Sequence, residues 1–242
     1  MTPELKSRLQ MSLAILLVLA TVRVAYILHE RNSAVSTRHV EDGSRALTAD
    51  EYVVAKKFYA HDLASAKTLA GKTVWVKQGY GNLVYPVQGG LADLTRGKAS
   101  LLPLERLQVK DVGLRPAPSS WKAPAGESEL LAICARPEGS AVAVPIGSTR
   151  GGEFHLAVND VFYIQDPHQL YEHWGDRTWK AIDSHQAKPG MNELQVNFAL
   201  GAPQSAGGGD YGERTLQYSN GGSPVSVSFS GDKAVEITSE KK

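Results

Sequence analysis

The chain has 242 residues, 42% of them hydrophobic and 21% charged, the balance of a globular protein with enough length for one or two hydrophobic cores. Lys and Arg number 26 against 25 Asp and Glu, so no long-range positive field exists and nucleic acid is not an expected partner. A single cysteine, Cys134 in the apolar run LLAICA, excludes an internal disulfide and reads as a small buried hydrophobe.

Residues 1–10 form a short basic N-terminus carrying Lys6 and Arg8. Residues 11–28, MSLAILLVLATVRVAYIL, are apolar apart from Ser12, Thr21 and Arg23. A helix of that length spans about 27 Å, enough for a bilayer core when its flanks snorkel. The expectation is a single-pass transmembrane anchor in the inner (cytoplasmic) membrane. A cleaved signal peptide ending near Val18-Leu19-Ala20 and a buried soluble helix are the alternatives. Arg31, Arg38 and Arg45 follow the run, so the positive-inside count does not decide orientation. The layout of a short basic end, an apolar run and a long following region argues for extracytoplasmic C-terminal domains. No cysteine follows the run, so lipoprotein processing is not expected.

Residues 29–47 are polar and aperiodic, as a tether is. Thr48-Ala49-Asp50-Glu51 matches a capping box, and Tyr52, Ala55, Tyr59, Leu63, Ala66 and Ala70 recur at helical spacing before Gly71, which together predict a helix over 49–69. From Lys72 the period becomes two, predicting a hairpin of 73–78 with 83–88 around GYGN. Strands are further expected at 104–112, 129–136, 141–146, 153–158 and 161–164, with a turn at Asn159-Asp160 and a Pro- and Ala-rich loop at 113–128. Residues 48–165 therefore read as a helix plus a small antiparallel β-barrel-like domain, with an SH3-like barrel the nearest type.

Asp166-Pro167 announces a helix, with Asp as cap and Pro in the first turn; HQLYEHW runs to Gly175, and a second stretch continues from Asp176 to a stop near Pro189-Gly190. Asn192 and Gln195 cap the next helix, Leu194, Val196 and Phe198 are its core candidates, and Gly201 and Pro203 end it. Strands at 214–219, 225–230 and 234–238 follow, turned by Asn220-Gly221 and Gly231-Asp232. The fold class expected is α+β: a transmembrane helix, the β-rich region, and a C-terminal module at 166–242.

Gly190-Met191-Asn192, Gln195-Val196, Leu200-Gly201-Ala202-Pro203, the strand Leu216-Gln217-Tyr218 and the strand Val225-Ser226-Val227-Ser228-Phe229 resemble the small outer-membrane-assembly lipoprotein family called BamE or SmpA/OmlA. The resemblance covers under a third of the chain. It implies an α-α-β-β-β layered fold for about residues 166–240, of a type whose relatives act mostly by binding proteins. The family's lipid-bearing cysteine is missing here, and an apolar span and a β-rich region precede the match. Outer-membrane location and barrel-assembly partners are therefore not implied.

Chemistry-bearing residues cluster at Tyr163, Asp166, His168, Glu172, His173, Asp183 and His185. His168 and Glu172, four apart, can share a helix face, so a metal-assisted hydrolase using His168, Glu172 and His185 is one reading. Caps, solvated carboxylates and helix-terminal histidines are the other. HExxH, cysteine-based zinc spacings and GxxxxGK(S/T) do not occur; Gly79-Tyr80-Gly81 lacks the third glycine of a dinucleotide loop, and the SxxK spacing from Ser119 to Lys122 falls in the Pro/Ala loop. No catalytic residue, metal or cofactor is assigned. Tyr171, Trp174 and Trp179 are a candidate partner-binding patch, with core packing as the alternative. Trp75, Tyr80 and Tyr85 would line a groove if the β-rich region binds a ligand or cell wall. The leading expectation is a membrane-anchored, extracytoplasmic, non-catalytic protein making protein-protein contacts in envelope assembly or maintenance, its partner another envelope protein or itself.

Overall fold

A computed structural model describes residues 20–27, 47–79, 81, 84–96, 101–116, 127–206, 208–219 and 224–239. The chain divides into two compact units, Met1–Thr48 and Ala49–Lys242. In the first unit residues 20–27 are helical (α1), with Val22, Val24, Tyr26 and Ile27 exposed. Among the described residues no helix is long and apolar enough to cross a membrane, and most of the span expected at 11–28 lies outside them.

The second unit is α+β with two antiparallel sheets. Its larger sheet comprises β1 (Thr73–Val76), β2 (Tyr85–Gln88), β3 (Leu91–Ala92), β4 (Arg106–Pro116), β5 (Ser128–Ala135), β6 (Ala141–Arg150), β7 (Glu153–Leu156) and β8 (Phe162–Tyr163). Their order is β3-β2-β6-β5-β4-β1-β8, with β7 also on β6. Alternation along the strands puts Val74 and Val76, Leu107 and Val109, Ala132 and Cys134, and Val142 and Val144 into one aliphatic core. Lys110 is an extra residue between the pairs Val109↔Cys134 and Asp111↔Ile133, and Ile146 is extra between Leu131↔Pro145 and Leu130↔Gly147. These bulges lie on opposite sides of β5 and bend the sheet. A Cβ at Gly147 would sit 2.3 Å from the His155 carbonyl oxygen, so the approach of β7 requires glycine there.

Among the described residues this sheet does not close into the expected barrel; its ends are the two-residue strands β3 and β8. The predicted hairpin is also absent. β1 pairs with β4 and β8, while β2 pairs with β6 and β3, so the segments flanking GYGN join opposite halves of the sheet. β4 extends to Pro116 and β5 starts at Ser128, shortening the expected loop from both sides.

Residues 49–69 depart most from expectation. Only Leu63–Ala66 (α2) is α-helical, flanked by 3-10 turns at Ala49–Tyr52 and Lys67–Leu69. Its capping box is formed by Asp62 and Ser65. Residues 53–60, after the first of these turns, have no regular secondary structure and run as a strap. Val53 and Ala55 pack on the second core and Phe58 and Ala60 on the first, while Tyr52, Val54 and Tyr59 face solvent. The helical spacing misled because Tyr52 and Tyr59 are outside; the adjacent Val53-Val54 and Phe58-Tyr59 suit extended backbone. The Asn159 side chain holds the strap, accepting from the Phe58 N–H and donating to the Phe58 carbonyl, each at 2.8 Å. Asn159 itself lies in a single helical turn, α3 (Val158–Val161), where a tight turn was expected.

After β8 come α4 (Pro167–Leu170), a 3-10 turn at Glu172–Trp174, α5 (Gly175–Asp183) and α6 (Glu193–Leu200), then β9 (Ser205–Ala206), β10 (Thr215–Tyr218), β11 (Val225–Ser230) and β12 (Lys233–Ser239) in the order β12-β11-β10-β9. Asp166 caps α4 through the His168 N–H with Pro167 behind it. α5 ends at Asp183, short of Pro189-Gly190, where His185 takes a left-handed φ of 51°. Both bonds of the Asn192/Gln195 capping box form, and Gly201, at φ 90°, ends α6. Gly231 and Asp232, at φ 58° and 53°, make the tight turn between β11 and β12. The inward row of Leu216, Tyr218, Val225, Val227 and Phe229 meets Val196 and Phe198 of α6 in the second core. The two cores exchange at β8, where Phe162 enters the first and its neighbour Tyr163 the second.

Candidate functional site

Tyr171, Trp174 and Trp179 are 8%, 8% and 7% exposed and do not form a surface patch. Trp174 stacks on Tyr171 at 4.4 Å, and both meet Phe198 edge-on. The core alternative weighed for these rings is the observed one. Each indole N–H is satisfied internally: Trp179 donates to the Tyr171 carbonyl (3.1 Å) and Trp174 to Asp50 Oδ1 (2.6 Å).

Asp50 is the node of this region. Besides Trp174, its carboxylate meets His173 Nε2 at 2.6 Å and the Asn192 amide at 2.8 Å, and it is 16% exposed. A carboxylate only accepts, so His173 carries a proton on Nε2. The strap is thus pinned to the cap residue of α6. No local signal in the sequence points to this, because the partners lie 123, 124 and 142 positions away.

The other titratable residues disperse. His168 stacks on Trp179 at 4.0 Å between two carboxylates, its Nδ1 3.1 Å from Asp166 and its Nε2 3.1 Å from Asp183. His185 places Nδ1 3.1 Å from the Ala199 carbonyl, and Glu172 is exposed. His168, Glu172 and His185 are therefore not brought together, and among the described residues no group of three or more His, Cys, Asp or Glu is placed to hold a metal ion. Tyr163 donates to Gln78 Oε1 at 2.9 Å, and burial raises its phenol above the ordinary range. Burial, then Glu105, pushes the Cys134 thiol up to about 12, so it stays a thiol at neutral pH.

Trp75 and Tyr85 do not share a groove, and Tyr80 lies outside the described residues. Four strand spacings separate β1 from β2, roughly 19 Å. Tyr85 bonds Glu129, whose carboxyl burial pushes above its usual range.

Trp75 has a different setting. It is paired across the sheet with Arg106 of β4 on one side and Tyr163 of β8 on the other, so all three side chains project from the face opposite Val74 and Val76. Above that row is a groove of about 680 Å³ walled by Lys56 of the strap and by Gln165, Asp166, His168 and Gln169. No family model matches this chain, and neither a curated protein nor a solved structure matches it significantly.

Proposed function

We propose that the chain is a membrane-anchored, extracytoplasmic, non-catalytic protein that makes protein-protein contacts in envelope assembly or maintenance. The observation that carries this reading is the outer row of the strap. Tyr52, Val54 and Tyr59 are 67%, 85% and 81% exposed, and the exposed Lys56 and Lys57 interrupt them. Single exposed apolar residues are ordinary, but three along one short segment make a contact surface with a polar rim. The segment is held from behind at Phe58 and Asp50, so its outer side chains are presented without a large ordering cost.

The succession of α4, α5 and α6 followed by β9 to β12 supports a BamE-like layered α/β module at 166–242 within the same proposal. The partner is another envelope protein or a second copy. The apolar composition of residues 11–28 supports the anchor.

A photoactivatable cross-linking residue at position 54 in the full-length chain in intact cells tests the contact. A discrete adduct of defined mass is expected, and it should weaken when Tyr59 is changed to Glu. A chain that yields no adduct from position 54, 52 or 59 makes no such contact. A reporter active only outside the cytoplasm, fused after residue 242, should be active; activity confined to a cytoplasmic reporter overturns the location.

A further inference from the structure

We infer that the groove over β4, β1 and β8 is a binding site for an acidic carbohydrate, with Trp75 as its floor and Lys56 and Arg106 as its carboxylate-binding pair. The groove shares Lys56 with the strap but requires no protein contact at Tyr52, Val54 or Tyr59.

The groove's polar side chains leave donors and acceptors unused. The indole N–H groups of Trp174 and Trp179 are both bonded inside the protein, whereas among the described residues that of Trp75 has no protein partner. The same holds for the side chains of Lys56, Thr73, Arg106, Gln165 and Gln169. Six side chains with unused donors or acceptors thus converge on one concavity of about 680 Å³, within the roughly 300–1,000 Å³ of small-ligand clefts.

Charge selects the ligand's sign. Asp166, the acid in the wall, is already occupied by the His168 ring and by the His168 backbone N–H at 3.0 Å. Lys56 and Arg106 have no carboxylate within ion-pair distance among the described residues, so the groove presents two unneutralised cations to an anion.

Geometry selects the ligand's body. Trp75 is half-buried and lines the groove with Leu104 and Ile164, an apolar lining that suits the C–H face of a pyranose. The Gln165 and Gln169 amides and the Thr73 hydroxyl each both donate and accept, as ring hydroxyls do. A sugar unit bearing a carboxylate uses all three features at once. An extended acidic peptide is less well served, because recognition by strand addition needs a free backbone edge. At Trp75, β1 is paired with both β4 and β8, so the groove floor at that residue offers a side chain only.

The test is titration of the full-length protein in detergent with tri-galacturonate, followed by intrinsic tryptophan fluorescence and calorimetry. Saturable binding is expected, weakened about tenfold by Arg106→Gln or Lys56→Gln, with maltotriose at least about tenfold weaker than tri-galacturonate, a factor of ten being about 1.4 kcal/mol. Both cations are solvent-exposed, so these variants should fold, which near-ultraviolet circular dichroism checks. Trp75→Phe should keep the sheet and weaken binding. The site is refuted if tri-galacturonate does not bind saturably, or if both cation variants bind it as the parent does. Hexaglutamate binding as tightly as tri-galacturonate overturns the carbohydrate assignment in favour of a peptide.

Discussion

The two cores of the second unit are held by different means. The first is built mainly from Val, Leu, Ala and Ile, with Phe58 and Phe162, on one face of a bent sheet, where burial needs no orientation and each fully buried Val, Leu or Ile side chain contributes about 1.5–3 kcal/mol. The second is built around Tyr163, Tyr171, Trp174, Trp179, Phe198 and Tyr218. Its Tyr and Trp rings bring polar tips that must find partners: Asp50 for Trp174, the Tyr171 carbonyl for Trp179, Gln78 for Tyr163 and Asn197 for Tyr218. An aliphatic core tolerates a change of shape by a methyl group; an aromatic core laced in this way specifies one arrangement and is sensitive to single polar atoms.

Ways to break that contrast differ in size. The largest effect is expected at Glu193, which is 1% exposed and accepts from the Arg214 guanidinium and the Gly212 N–H where α6 meets the second sheet. Glu193→Ala leaves the buried Gly212 N–H without its acceptor and the Arg214 guanidinium without its partner, and urea unfolding should show a larger loss than any other single change here. Asp50→Ala removes the acceptor for the Trp174 and Asn192 donors, with about 1–3 kcal/mol lost. In a double-mutant cycle with Trp174→Phe the two losses should not add; additive losses would mean that the bond at Asp50 contributes nothing.

In the first core, Ile146→Val should cost only about 0.5–1.5 kcal/mol, with no such coupling to its neighbours. A larger loss there would erase the distinction between the cores.

A further effect is confined to alkaline pH. Cys134 is pushed from 9.0 up to about 12 by burial, and burial also raises Tyr163 and Tyr218 from 10.0. The folded state keeps protons that the unfolded state releases. The stability this supplies is complete below about pH 9 and is lost as pH rises toward 12 and beyond. The urea midpoint should be flat to pH 8.5 on this account and then fall. Cys134→Ala should remove the early part of the fall, and Tyr218→Phe the part above about pH 10.

What could be seen in the sequence divides along a related line. Hydrogen bonds made within three or four residues were legible: the Asn192/Gln195 box, Asp166 ahead of Pro167, and the Gly231-Asp232 turn all carry their chemistry locally. The inward row of β11 was legible from its period of two. The strap was not, because a helix-like spacing of alanines and tyrosines coincided with a segment whose conformation is set by Asn159, His173, Trp174 and Asn192. The hairpin around GYGN failed for the same reason, since its two arms find better partners elsewhere in the sheet. The candidate groove was half legible. Trp75 stood out as an aromatic on a strand, but its cations arrive from residues 56 and 106, which only the sheet register and the strap bring beside it.

The bond from Asn192 to Asp50 also sets an order of assembly. Asp50 leaves the ribosome 142 residues before its amide partner, an interval of roughly 7–30 s at about 5–20 residues per second. Over that interval Val53 and Ala55 have no complete second core to enter, whereas Phe58 can enter the first core once Phe162 has been made. A chain truncated before residue 192 would lack α6 and the second sheet, leaving Val53 and Ala55 uncovered as hydrophobic targets for chaperones and proteases.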